Sequence, residues 1–307
     1  MERRGLNIRK AFLSSVLPAI RLLPLPIASR VVSGIGRLEY QFRPSIRRSF
    51  HEAVAHGREI LHGNWDVESV SRELAGNHIL WRTRDLLLDG VPDDRAREMF
   101  EVEGREHLDS ALDLGRGCVV LASHFGAHLL PAHWLFREDY PVRFYMERPR
   151  HISRFMSRHF QTEGPLGQDK LFISRGGVPA DSASSILRAT RALKAGCSLY
   201  LAGDVRWRGK LTHETEFLGR RFRFSTTWVV LAAMTQAPVV MVFCRMDGDG
   251  RYHMEFHPPF YPPAEAAMGD PDPWVRLFLD RLETQVRRYP SNSNEYFFWE
   301  EASGMVA

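Results

Sequence analysis

The chain has 307 residues, of which 44% are hydrophobic, 25% charged and 11% aromatic, with a formal net charge of +4. That is long enough for one large domain or two small ones with a sizeable core. The balance excludes a disordered or fibrous chain, and the modest charge argues against a dedicated nucleic-acid binder. The basic residues are lopsided: Lys10, Lys170, Lys194 and Lys210 are the lysines among 41 cations, and arginine supplies the other 37. Codon usage in a GC-rich genome explains most of such an excess. A guanidinium fork also grips phosphate and carboxylate better than an ammonium does, so position decides which arginines bind anions.

The N-terminal segment carries two apolar stripes at helical spacing. Ile8, Phe12, Leu13, Val16, Leu17 and Ile20 form the first; Ile27, Val31, Val32, Ile35 and Leu38 form the second, after a break at Pro24 and Pro26. Arg9, Lys10, Arg21, Arg30 and Arg37 lie between them, and Glu2 is the one acid before Leu38. Two short basic amphipathic helices suit an anionic membrane surface; the same period suits helices packed on a core. No run reaches the ~18 apolar residues of a membrane span, because Arg21 and Arg30 interrupt it. No small-residue cleavage site marks a signal peptide. Residues 1–40 are therefore expected to be a membrane-facing helical segment, and residues 41–307 one α/β domain.

Residues 45–90 read as helical, with Asp66 as a candidate N-cap and Val70, Leu74, His78 and Trp81 on one stripe. From about residue 117 strands and helices alternate. Strands are expected at Cys118–Ala122, Val142–Met146, Leu171–Ser174, Ser198–Ala202, Val239–Phe243 and Tyr252–Phe256. Helices are expected at 127–137, 150–160, 182–195, 225–236 and 273–288. The pattern predicts an α/β fold with a mainly parallel, buried central sheet flanked by helices. Cys118, Cys197 and Cys244 each sit in an apolar run, which reads as packing in a reducing compartment rather than a disulfide framework or zinc ribbon.

Open α/β sheets place ligand-handling residues just beyond the carboxyl ends of their strands. Two such ends stand out. Val119-Val120-Leu121-Ala122 runs into Ser123-His124-Phe125-Gly126, presenting an imidazole suited to general-base work. Leu199-Tyr200-Leu201-Ala202 runs into Gly203-Asp204, followed by Arg206, Arg208 and Lys210, a carboxylate and three cations suited to an anionic group. His124, His128 and His133 have spacing a metal could use, but the glutamate of a zinc-protease helix is replaced by Phe125, so no metal is expected. No G-x-S-x-G elbow, G-x-G-x-x-G or P-loop is present. The strip Phe217 to Trp228 alternates arginine with aromatics, which fits a strand better than a basic patch.

The ordered set of Val102-Glu103-Gly104-Arg105-Glu106-His107-Leu108, then Gly115 through Gly126, then Arg191-Ala192-Leu193-Lys194-Ala195-Gly196, resembles the lysophospholipid acyltransferase superfamily. It is most similar to the bacterial lipid A (lauroyl/myristoyl) branch. Downstream, Glu216-Phe217-Leu218-Gly219-Arg220, Thr226, Ala237-Pro238-Val239-Val240, Asp249-Gly250-Arg251-Tyr252 and Tyr296-Phe297-Phe298-Trp299 keep the order. The resemblance covers nearly the whole chain. It implies a peripheral enzyme on the cytoplasmic face of the inner membrane. Such an enzyme transfers an acyl chain from acyl carrier protein or acyl-CoA to a hydroxyl of a membrane lipid or glycolipid, without a further cofactor.

The family motif is a histidine followed, after four residues, by an acid that orients it; the lipid A branch usually reads His-Phe-Gly-Asn-Trp-Glu. Here Ala127, His128 and Leu129 stand in the last three places, and leucine accepts no hydrogen bond. Loss of an orienting carboxylate costs a triad on the order of 10⁴ in turnover. Either another group supplies it, with Asp204 ranked before Glu216 and Glu147, or the chain is a catalytically silent relative that binds lipid or a partner protein. The resemblance otherwise implies His124 as base and Arg206, Arg208 and Arg220 as holders of an anionic headgroup or carrier phosphate. Backbone amides near Gly126 would serve the oxyanion, and His128 lies beside the substrate.

Overall fold

In the computed structural model of the chain, the residues described are 16–147, 153–156, 172–173, 183–207, 209–293 and 295–299. The strands are β1 (Phe100–Glu103), β2 (Cys118–Ala122), β3 (Val142–Phe144), β4 (Met146–Glu147), β5 (Phe172–Ile173), β6 (Ser198–Ala202), β7 (Thr212–Phe217), β8 (Arg220–Ser225), β9 (Val239–Met246) and β10 (Tyr252–Phe256). The helices are α1 (Leu25–Phe42), α2 (Pro44–Leu61), α3 (Val67–Leu87), α4 (Asp93–Arg97), α5 (Arg105–Leu112), α6 (Leu130–Arg137), α7 (Ala183–Lys194), α8 (Thr227–Thr235) and α9 (Asp272–Arg288).

Six strands form the central sheet in the order β1-β10-β9-β2-β6-β3. β9, β2, β6 and β3 run parallel. β10 turns back antiparallel to β9, and β1 pairs parallel to β10. The expected α/β architecture with a mainly parallel sheet is what the chain adopts. β2 shows why. Its five residues, Cys-Val-Val-Leu-Ala, are all buried, as a strand covered on both faces requires. Val119 and Leu121 join the core on one face; Cys118, Val120 and Ala122 join the core on the other, following the two-residue period of a strand.

The strands expected at 118–122, 198–202 and 252–256 are found with those bounds, and Asp66 caps α3 by accepting the Ser69 amide at 2.7 Å. Other bounds shift. The strand expected over Val142–Met146 divides at Tyr145, with β3 pairing to β6 and β4 to β5. The helix expected from 127 starts only at Leu130, because Ser123 to Leu129 are used to turn the chain at the carboxyl end of β2. Most of 150–160 lies outside the described residues, as do Leu171, Ser174 and residues 1–15, and the expected strand at Leu171–Ser174 is described only as β5.

The described part of the N-terminal segment packs on the core. Ile20, Ala28 and Val32 enter the same core as β2 and β9. α1 meets α3 through small residues: a Cβ on Gly36 would lie 2.4 Å from the Ala75 carbonyl and 2.8 Å from Gly76 Cα. Glycine alone permits that approach.

Candidate active site

Register builds the site. β2 and β6 are parallel with Ala122 opposite Ala202. Each chain then continues two residues past the sheet, so His124 and Asp204 emerge side by side at the carboxyl ends of adjacent strands. The His124 ring donates from Nδ1 to Asp204 Oδ1 at 3.0 Å, and the His124 amide donates to Oδ2 at 2.8 Å. Tyr296, arriving from the C-terminal 3₁₀ turn Tyr296–Phe298, donates its hydroxyl to the same Oδ2 at 2.6 Å. The carboxylate side chain is 0% exposed and the histidine side chain 29%.

The electrostatics follow from those partners. Burial pushes the Asp204 carboxyl up, but the His124 charge, the His124 hydrogen bonds and the Tyr296 hydroxyl outweigh it and hold the group below the usual carboxylate range. Asp204 is therefore an anion at neutral pH. Its bond to Nδ1–H fixes the tautomer of His124 and leaves Nε2 as the basic nitrogen. A histidine paired in this way with a buried carboxylate has the geometry of a general base and its orienting acid, and here the carboxylate is delivered by β6 rather than by the helix that follows the histidine.

The turn after His124 is locked. Gly126 adopts φ +55°, and a Cβ there would meet the Cys244 carbonyl at 2.1 Å. Its amide donates to the Asn292 carbonyl at 2.9 Å, and the Ala127 amide donates to the Cys244 carbonyl at 2.7 Å. Of the amides near Gly126 expected to serve an oxyanion, those of His124, Gly126 and Ala127 already have acceptors within the protein. Asn292 completes the lock by accepting the Met246 amide at 2.7 Å and donating to the Met246 carbonyl at 3.1 Å.

His128 stands beside His124, with ring centroids 4.9 Å apart and planes tilted by 49°. Trp81 of α3 donates Nε1–H to His128 Nδ1 at 3.2 Å, and Arg84 Nη2 lies 3.4 Å from the same nitrogen. Arg84 is buried and lies over the Trp81 ring at 5.1 Å; its Nε is buried without a hydrogen-bond partner among the described residues. Burial lowers the Arg84 pKa to about 10, so it stays charged. Burial, the Arg84 charge and the proximity of His124 hold the His128 pKa well below that of a free imidazole.

The remaining candidates are dispersed. Arg206 is exposed, two residues past Asp204, and lies over the Trp299 ring at 4.2 Å. Trp299 in turn packs edge-on against Tyr296, centroids 4.8 Å apart. Arg220 spends both terminal nitrogens on backbone, one on the Trp299 carbonyl and the other on the Tyr296 carbonyl at 3.0 Å. It braces the turn that delivers Tyr296. Glu216 is exposed on β7, opposite Arg221 across the hairpin with β8. Arg208 and the Glu147 side chain fall outside the described residues. His133 pairs with Asp85, which also accepts from the Ser153 hydroxyl at 2.7 Å, in a separate buried cluster. The three cysteines are buried thiols; burial pushes Cys118 and Cys244 up to about 12.

Tyr296, Trp81, Arg84 and Asn292 were not singled out as site residues by the sequence. The Tyr296 aromatic cluster is visible in it, but nothing local ties it to a carboxylate 92 positions earlier.

Comparison with known proteins gives three findings. Residues 78–299 match the family model described as bacterial lipid A biosynthesis acyltransferase. Phosphatidylinositol mannoside acyltransferase of Mycolicibacterium smegmatis (strain ATCC 700084 / mc(2)155) is 26% identical over 223 residues, 73% of this chain and 69% of that protein. The crystal structure of the 1-acyl-sn-glycerophosphate (LPA) acyltransferase PlsC from Thermotoga maritima aligns with 84% of this chain and 98% of its own, at 14% identity and a TM-score of 0.37.

Proposed function

The chain belongs to the bacterial lipid A biosynthesis acyltransferase family, and from that premise we propose that it moves a fatty acyl group from a thioester of acyl carrier protein or coenzyme A to a hydroxyl of a membrane glycolipid. The single observation that carries the reading is the His124–Asp204 pair at 3.0 Å. It supplies the orienting carboxylate whose absence at Leu129 favoured a silent relative.

In this reading His124 Nε2 takes the proton of the acceptor hydroxyl as its oxygen attacks the thioester carbonyl. Asp204 holds the ring and stabilises the imidazolium that forms. Arg206 and Arg208 serve the anionic headgroup or the carrier phosphate. A glycolipid acceptor accords with both comparisons, since lipid A and phosphatidylinositol mannosides are sugar-bearing lipids.

A membrane surface is part of the proposal, with the cytoplasmic face of the inner membrane as the expected site. Among the described residues no helix is long and apolar enough to cross a bilayer. The solvent face of α1 is nevertheless apolar: Ile27, Val31, Leu38 and Phe42 recur along it, with Leu22 and Leu23 just before. Phe42 is 77% exposed and Leu22 87%. Arg30 and Arg43 are exposed near them. A helix that packs its small residues inward and turns large apolar ones outward, beside cations, suits an anionic lipid interface.

The test is transfer itself. Purified full-length protein is incubated with radiolabelled palmitoyl-CoA or palmitoyl-acyl carrier protein and, separately, phosphatidylinositol mannosides, lipid A precursors and total bacterial lipid. Labelled product lipid is expected, abolished by H124A. Unchanged transfer by H124A would overturn the base assignment, and no transfer to any acceptor would favour the silent reading.

A further inference from the structure

An acyl transfer of this kind needs more than a base. When the acceptor oxygen bonds to the thioester carbon, the carbonyl π pair moves onto oxygen, and the hydroxyl proton moves to His124 Nε2. Collapse restores the C=O bond and breaks the C–S bond, and the thiolate leaves with the proton returned by His124. The alkoxide between these steps needs a donor aimed at it in a site that excludes water. The amides of His124, Gly126 and Ala127 donate elsewhere, and the side chain standing beside the histidine is His128.

We propose that His128 is that donor: its Nε2–H meets the developing oxyanion while His124 takes the proton. The inference rests on the acyl-transfer reading above. Three observations carry it. Trp81 Nε1 is a donor only, so its bond to His128 Nδ1 at 3.2 Å places the lone pair on Nδ1 and the proton on Nε2. The two imidazoles lie side by side at 4.9 Å, both partly exposed at the same strand end, so one substrate carbonyl can face both. Arg84 stands behind the ring, 3.4 Å from Nδ1, buried and charged. It opposes protonation of His128 and adds a fixed positive field to the place where negative charge forms. A neutral imidazole fits better than an imidazolium here, because it donates a hydrogen bond to the alkoxide without surrendering its proton to it.

The chemistry also accounts for the fixed parts of the cluster. Trp81 and Arg84 lie on α3, three residues apart and so on one face, and both converge on His128 Nδ1. Trp81 is then a positioning residue: it sets the tautomer and touches no substrate.

The experiment compares wild type, H128F, H128Q and W81F in palmitoyl transfer from palmitoyl-CoA and palmitoyl-acyl carrier protein, with kcat and KM separated. Loss of one oxyanion donor costs on the order of 10²- to 10³-fold in kcat. That loss is expected for H128F, with KM changed by less than about threefold. H128Q keeps an N–H donor and recovers about a tenth or more of the wild-type kcat. W81F lowers kcat with KM unchanged. Wild-type-like kcat in H128F, or a loss confined to KM, overturns the proposal while leaving acyl transfer intact. A wild type that transfers nothing overturns the acyl-transfer reading and this inference with it. A second measurement is independent of turnover. Nitrogen-15 imidazole spectra of the folded wild type are expected to show His128 as the neutral Nε2–H tautomer between pH 6 and 8. The Nδ1–H tautomer or an imidazolium would contradict the assignment.

Discussion

Two histidines four residues apart have opposite electrostatic surroundings. His124 Nδ1 faces an anion, Asp204, which stabilises its charged form. His128 Nδ1 faces an indole N–H and a guanidinium, which oppose charge. That asymmetry has a consequence for stability. His128 stays neutral in the fold, whereas in the unfolded chain it takes a proton below about pH 6.5. The unfolded state therefore binds more protons in that range. Stability is fully present above about pH 6.5 and is lost as pH falls toward the depressed folded-state pKa, by up to about 1.4 kcal/mol per pH unit. H128Q has nothing to titrate, so unfolding free energies from urea titrations between pH 4.5 and 6.5 should fall less steeply for it by that amount. Parallel curves for the two proteins would mean that His128 is protonated in the folded state.

The elements bring these side chains together through backbone register and one constrained turn. The sequence shows both strand ends, and the ranking of Asp204 before Glu216 and Glu147 follows from two strands in one parallel sheet. What it could not show is the register, Ala122 against Ala202, because pairing of strands 80 residues apart is decided by tertiary packing. It also misses β1, whose Phe-Glu-Val-Glu run is only four residues with two exposed glutamates, too short and too polar for an apolar pattern. Tyr296 is hidden for a third reason: its turn is placed by Arg220 bonds to the Tyr296 and Trp299 carbonyls, contacts with no signature in sequence spacing. The turn after His124 admits a sharp prediction. At Gly126 an added methyl meets the Cys244 carbonyl and requires a left-handed backbone. G126A should lose more than about 2 kcal/mol of stability, measured by denaturant unfolding, together with activity. A wild-type midpoint would show that the turn relaxes freely.

At the scale of the whole molecule, α1 has one face for each use its periodicity allowed, a core and a lipid surface. One face of α1 joins the core through Ala28 and Val32, and the other presents Ile27, Val31, Leu38 and Phe42 to solvent. The apolar spacing alone could not divide these roles, because a stripe bound for the core and one bound for lipid share a period. Each large side chain leaving water contributes about 1.5–3 kcal/mol. L38E/F42E should therefore lower partitioning onto vesicles containing phosphatidylglycerol by at least about tenfold in a flotation assay, with the folded core unaffected. Equal flotation of variant and parent would remove α1 from the membrane account.

The central claim is that an acid from a neighbouring strand has taken over the post left by Leu129. The measurement that tests it most directly is the acyl-transfer kcat of D204N, whose side chain keeps its shape and loses its charge. The account predicts a fall on the order of 10³- to 10⁴-fold with KM within a few-fold of wild type; a D204N enzyme within tenfold of wild type would contradict it.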